Sequence, residues 1–82
     1  MKKVGTVTHY YGKIGVAILQ LDDALAVGDT IKFQGHGADF DQTVRQGEMQ
    51  MDHAEIPRAT AGTQIGLKID QPVKEGTEVF VQ

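Results

Sequence analysis

TIKFQGHGADFDQTV, residues 30–44, decides how the rest of the chain is read. Ile31 and Phe33 share one parity; beyond the glycines, Phe40, Gln42 and Val44 again occupy alternate positions. Alternate residues of a strand point to the same face, so each half reads as a strand with one face in and one face out. Between the halves stands Gly35-His36-Gly37. Glycine on both sides of a histidine suits a tight reversal, because glycine reaches positive φ without strain. A phosphate-cradling loop would need glycines that open into a helix, whose first N–H groups converge on the anion. Here Gly37 leads into a strand carrying Asp39 and Asp41, and the G-x-G-x-x-G spacing is absent. The stretch is a β-hairpin, with Phe33 pointing inward and His36 at an exposed tip.

Outward from this hairpin the same period recurs. Ile14, Val16 and Ile18 share a parity, as do Ile65, Leu67 and Ile69, and then Val79 and Val81. Between Phe40 and Met51 the parity changes at Gly47, which predicts one long strand bent there by a β-bulge. Turn residues separate the strands at YYGK (10–13), LDDALAVGD (21–29), PRATAG (57–62) and QPVKEGT (71–77). LDDALAV allows one short helical turn capped by Asp22 or Asp23. The expected fold is all-β: a small closed antiparallel barrel of six or seven strands, since closure removes exposed sheet edges. Residues 1–82 form one domain.

Bulk composition narrows the function. Apolar residues make up 40% and charged residues 23%, an ordinary globular balance. A chain of 82 residues buries only about 60–65% of its unfolded surface, so its stability is expected to be modest. The formal charge of −3 supplies no general attraction for nucleic acid, and no DNA partner is expected. Without cysteine there is no disulfide, thiolate metal site or cysteine nucleophile. MKKV is followed by GTVTHYYGK rather than by the apolar core of a signal peptide. No run approaches the ~18 apolar residues of a membrane span. The expectation is a soluble, cytoplasmic domain with no membrane partner.

Three stretches resemble the second-domain β-barrel of translational GTPases such as elongation factor Tu. GTV (5–7) is similar to that family's opening strand, LAVGDTI (25–31) to the turn entering a strand, and AGTQIGLKI (61–69) to its glycine-led stretch. The resemblance implies an RNA- or translation-associated binding module. In that family an asparagine of the glycine-led stretch helps hold the aminoacyl end of tRNA; Gln64, one methylene longer, stands at the matching position. The chain has no G-x-x-x-x-G-K-[ST] loop, so neither a GTPase domain nor bound GTP is expected. VGDTIKFQGHGADFDQTV (27–44) and IDQPVKEG (69–76) are also similar to the small C-terminal barrel of collagenase-like peptidases. That second resemblance implies a protein-interaction or accessory barrel.

Candidate contact residues follow from chemistry. Tyr10 and Tyr11 offer rings that stack on bases, and Lys13 a phosphate partner. Adjacent strand residues face opposite ways, so only one tyrosine is presented. Arg58 and Gln64 complete the candidate RNA- or ligand-binding set. Asp52, His53 and Glu55 lie close together, but the chain contains no serine and marks no other nucleophile. His36 would need Asp39, Asp41, His53 or His9 to hold a metal, and no pair has a recognisable ligand spacing. The expectation is therefore no catalytic residue, no metal and no cofactor, with tRNA, ribosomal RNA or a protein as partner.

Overall fold

The computed structural model describes residues 1–82. Its elements are β1 (Lys2–Tyr11), β2 (Val16–Leu21), β3 (Leu25–Ala26), β4 (Thr30–Gly35), β5 (Ala38–Thr43), β6 (Met49–Met51), β7 (Ala54–Glu55), β8 (Arg58–Ala59), β9 (Gln64–Lys68) and β10 (Glu78–Val81). There is no helix, and so none long and apolar enough to cross a membrane. Eight strands pair in the order β5-β4-β10-β1-β2-β9-β6-β7, while β3 and β8 make a separate two-stranded sheet. Every pairing is antiparallel.

The inward faces meet in one core that includes Val7, Leu19, Leu21, Ile31, Phe33 and Leu67, with Leu25 and Ala59 of the small sheet packed into it. The expected inward set of Ile31, Phe33, Ile65, Leu67, Ile69 and Val79 is buried. β1 reaches the core in an unusual way. Val4, Val7 and Tyr10, three residues apart, all pack into or against it. Register slips between Lys3 and Gly5, and again between Val7 and His9, insert an extra residue each time and reset the parity.

The GHG stretch is the predicted hairpin tip. Gly35 pairs with Ala38, and the two residues between them have φ of 53° (His36) and 91° (Gly37). Positive φ at both central positions gives a turn whose twist matches the flanking strands. The exposed His36 ring lies over Gly76, where an added Cβ would come within 2.8 Å of Nε2. Gly37→Ala should cost about 1 kcal/mol, because a Cβ is strained at that φ. A urea midpoint unchanged from the parent would contradict this.

Several expectations are corrected. The barrel is not closed by a ladder: the main sheet ends at β5 and β7, which do not pair. In place of a ladder, Gln42 bridges the gap with its side chain. Its Nε2 donates to Lys68 O at 3.1 Å, and its Oε1 accepts from Asp70 N at 2.9 Å. The strand count is ten rather than six or seven, because short pairings at β3, β7 and β8 carry no periodicity. The long bent strand is two strands, β5 and β6. Gly47, at φ 89°, sits in a true turn where Glu48 N donates to Arg45 O. LDDALAV holds no helical turn; Asp23 Oδ1 accepts from Ala24 N, and the chain enters β3. Finally, the parity of Ile14, Val16 and Ile18 faces outward in β2, while Ala17, Leu19 and Leu21 fill the core.

Candidate functional site

That outward face is where the molecule concentrates its accessible apolar surface. β1, β2, β9 and β6 are neighbours, so their outward residues align in rows. One row is Tyr11, Val16 and Lys68; the next is Ile18, Gly66 and Gln50. Of these, Tyr11, Val16, Ile18, Gly66 and Gln50, together with Ile14 and Met51, line a groove of about 490 Å³, and Lys68 stands outside its lining. Ile14 is 64% exposed and Tyr11 49% exposed, two of the three large apolar side chains that the chain leaves open to solvent. Clustered exposure of this kind marks a binding surface more often than scattered exposure does.

Local sequence explains the shape. Gly66 has no side chain to stand between β2 and β6, so Val16 and Ile18 lie across β9; a Cβ on Gly66 would touch Val16 Cγ1 at 3.4 Å and Ile18 Cδ1 at 3.8 Å. At one end the Tyr11 ring meets His9 edge-on, with centroids 4.4 Å apart, and His9 Nδ1 lies 3.4 Å from Glu75 Oε2. At the other end Asp52 and His53 form the β6–β7 turn, with φ of 53° and 66°. Asp and His are among the residues that tolerate this region best. Gln64 Nε2, on the adjoining strand, donates to Thr8 Oγ1 at 3.4 Å.

Electrostatics around the groove are sparse. Lys13, Lys68 and Asp52 take part in none of the ion pairs. The two perturbed groups lie elsewhere. Hydrogen bonding by Lys2, then the Ala24 N–H, then the Lys2 charge hold the Asp23 carboxyl below the usual carboxylate range. A hydrogen bond to Glu48, followed by the charges of Asp70 and Glu48, makes Arg45 still more firmly cationic. No three acidic or histidine side chains converge as a metal site would require. An apolar floor with a polar rim is the usual lining of a ligand-binding cleft.

The sequence-derived set is split by the fold. Tyr11 and Gln64 both line the groove, and Lys13 lies in the turn between Tyr11 and Ile14. Tyr10 faces the other way and packs against the core. Arg58 sits on β8, paired with Ala26 in the small sheet and away from the groove. The residues that make the floor, Val16, Ile18, Gly66 and Met51, were not in that set. A signal for them does exist. VAILQL is apolar at both parities, the pattern of a strand covered on both faces.

No family model matches the chain. The C-terminal domain of a Geobacillus thermoleovorans protein assigned to the U32 peptidases superposes with a TM-score of 0.89. It is 19% identical, and the match covers 99% of this chain and 92% of that one. The fold is that of the U32 peptidase C-terminal domain. The selenomethionine variant of the same domain also gives a TM-score of 0.89, at 20% identity, covering 98% of this chain and 99% of its own. In sequence, an uncharacterized protease of Methanocaldococcus jannaschii is 32% identical over 79 residues. The match takes in 96% of this chain but only 19% of that protein, so the chain spans about a fifth of the relative's length. Of the two resemblances seen in the sequence, these findings support the collagenase-like peptidase barrel. None of these relatives is a translational GTPase.

Proposed function

We propose that the chain is a non-catalytic accessory module, of the kind appended to collagenase-like peptidases, and that it acts by binding protein. The observation that carries this reading is the fit of nearly the whole chain onto a U32 peptidase C-terminal domain. The outer groove supplies the means, since it offers apolar surface without an assembled nucleophile or metal set. Association with tRNA or ribosomal RNA is the less supported reading. Tyr10 packs against the core and Arg58 lies off the groove, so only part of the candidate set, Tyr11, Lys13 and Gln64, gathers on one side of the molecule.

Affinity purification of the tagged chain from native extract, with and without nuclease, separates the two readings. The same protein partners should be recovered in both halves. If nuclease removes every partner and salt abolishes capture, phosphate contacts dominate and the accessory-module reading falls.

A further inference from the structure

We infer that the groove is a self-association surface, and that its occupant is the same groove of a second copy of this chain. The inference rests on reading the chain as a binding module, and not on its kinship with peptidases.

The first observation is β2 itself. Val16 and Ile18 face outward opposite Ala17 and Leu19, so the strand is apolar on both faces although only one is covered. Ile14 and Tyr11 extend this face along the groove, and Met51, half-buried against the core, borders its other end. The second observation is the placement of unpaired charge. Lys68 stands in the Tyr11–Val16 row and Lys13 in the turn beside it, whereas Asp52 lies in the turn at the far end, past Gln50. The Val16 and Gln20 rows are about 13 Å apart at the usual rise per strand residue. One end of the groove is therefore cationic and the other anionic, and none of the three groups has a partner within its own chain.

A two-fold axis lying in the plane of the interface, across the length of the groove near Ile18 and Gly66, lays one groove face to face on the other with its ends exchanged. Each Asp52 then meets the Lys13–Lys68 end of its mate, and Ile14 and Tyr11 cover the mate's Met51. Such an isologous contact is self-complementary by construction. Stacking without reversal would set Asp52 beside Asp52. Four strands about 4.8 Å apart make a footprint of roughly 15 Å by 13 Å. This is well under the ~800 Å² per side of a standard interface. The dimer is accordingly weak, populated near about 1 mM chain and dissociated near about 1 µM.

Sedimentation equilibrium of the whole chain across that range, at low salt, tests the idea. The expected result is a monomer–dimer equilibrium that weakens several-fold at about 0.5 M salt, as screening predicts. Ile14→Asp, at an exposed turn position, should weaken it at least about tenfold, because a carboxylate would be desolvated in the contact. Lys68→Glu and Asp52→Lys should each weaken it at least about fivefold through like-charge contact, and combined they should restore it to within about twofold. If circular dichroism shows that Asp52→Lys disturbs its turn, Asp52→Asn, which tolerates the same positive φ and removes the charge, should weaken association about twofold instead. A chain that stays monomeric at about 1 mM overturns the proposal. So does a dimer indifferent to Ile14→Asp, or a charge swap that fails to restore association. These failures leave the accessory-module reading standing, since its test measures capture of other proteins.

Discussion

Phe33→Ala is expected to destabilise the domain by about 3–5 kcal/mol. Phe33 is the largest of the fully buried side chains and stacks on Phe40 with ring centroids 4.9 Å apart. Truncation removes the transfer energy of the ring and leaves a cavity that a curled sheet, held by ladders on either side of β4, is unable to close. A domain of this length has a total stability of roughly 4–12 kcal/mol, so the variant loses a large part of it. Thermal unfolding followed by circular dichroism should show a fall of at least about 12 °C, at ~4–8 °C per kcal/mol. A fall of less than about 4 °C would mean that Phe33 does not anchor the core. Phe33→Leu, which keeps most of the volume, should lose much less.

Gln42→Leu is expected to cost about 2–3 kcal/mol, although it replaces a buried polar side chain with an apolar one of similar size. The reason is the pair of backbone groups that Gln42 satisfies. Lys68 O loses a donor and Asp70 N loses an acceptor, each at about 1–3 kcal/mol, with solvent at the seam recovering part of it. The loss should also be local. Amides of β5 should exchange with solvent faster than those of β1 and β2, because β5 is an edge strand and this side chain joins it to the end of β9. Wild-type stability with uniform exchange in Gln42→Leu would show that the seam holds without the clasp. Gln42→Glu, which cannot donate to Lys68 O and buries a charge, should be at least as damaging near neutral pH.

Both predictions bear on how much of this protein is legible in one dimension. The hairpin at residues 30–44 is fully so. Its parity buries Ile31 and Phe33, and its two central residues need positive φ. Just before it, Asp29 Oδ2 accepts from Ala26 N at 2.9 Å and closes the turn that enters β4. β1 is less legible, since Val4, Val7 and Tyr10 recur at a spacing that no regular strand has. The bulges that bring them inward are fixed by pairing with β10 and β2, partners remote in sequence.

The candidate site divides in the same way. Tyr11, Lys13 and Gln64 were found from residue type alone, because an aromatic ring, an ammonium and an amide announce their chemistry. Val16, Ile18 and Met51 look like core in the sequence. Only adjacency of β2, β9 and β6 makes them the floor of an open groove. Periodicity says that a strand has two faces, and both faces of β2 are apolar. Which of them turns inward depends on how β1 and β9 carry it around the core.

By itself, then, the sequence determined an antiparallel all-β chain, its hairpin tip, most of its buried positions and the absence of cysteine and serine chemistry. These depend on residue type and on contacts a few positions apart. The tertiary structure decided that the barrel stays open between β5 and β7, that Gln42 spans the seam, and that Ile14, Val16 and Ile18 face solvent. Each of these follows from which strands become neighbours. Strand order is a choice among long-range pairings whose free energies differ by less than the local pattern can encode.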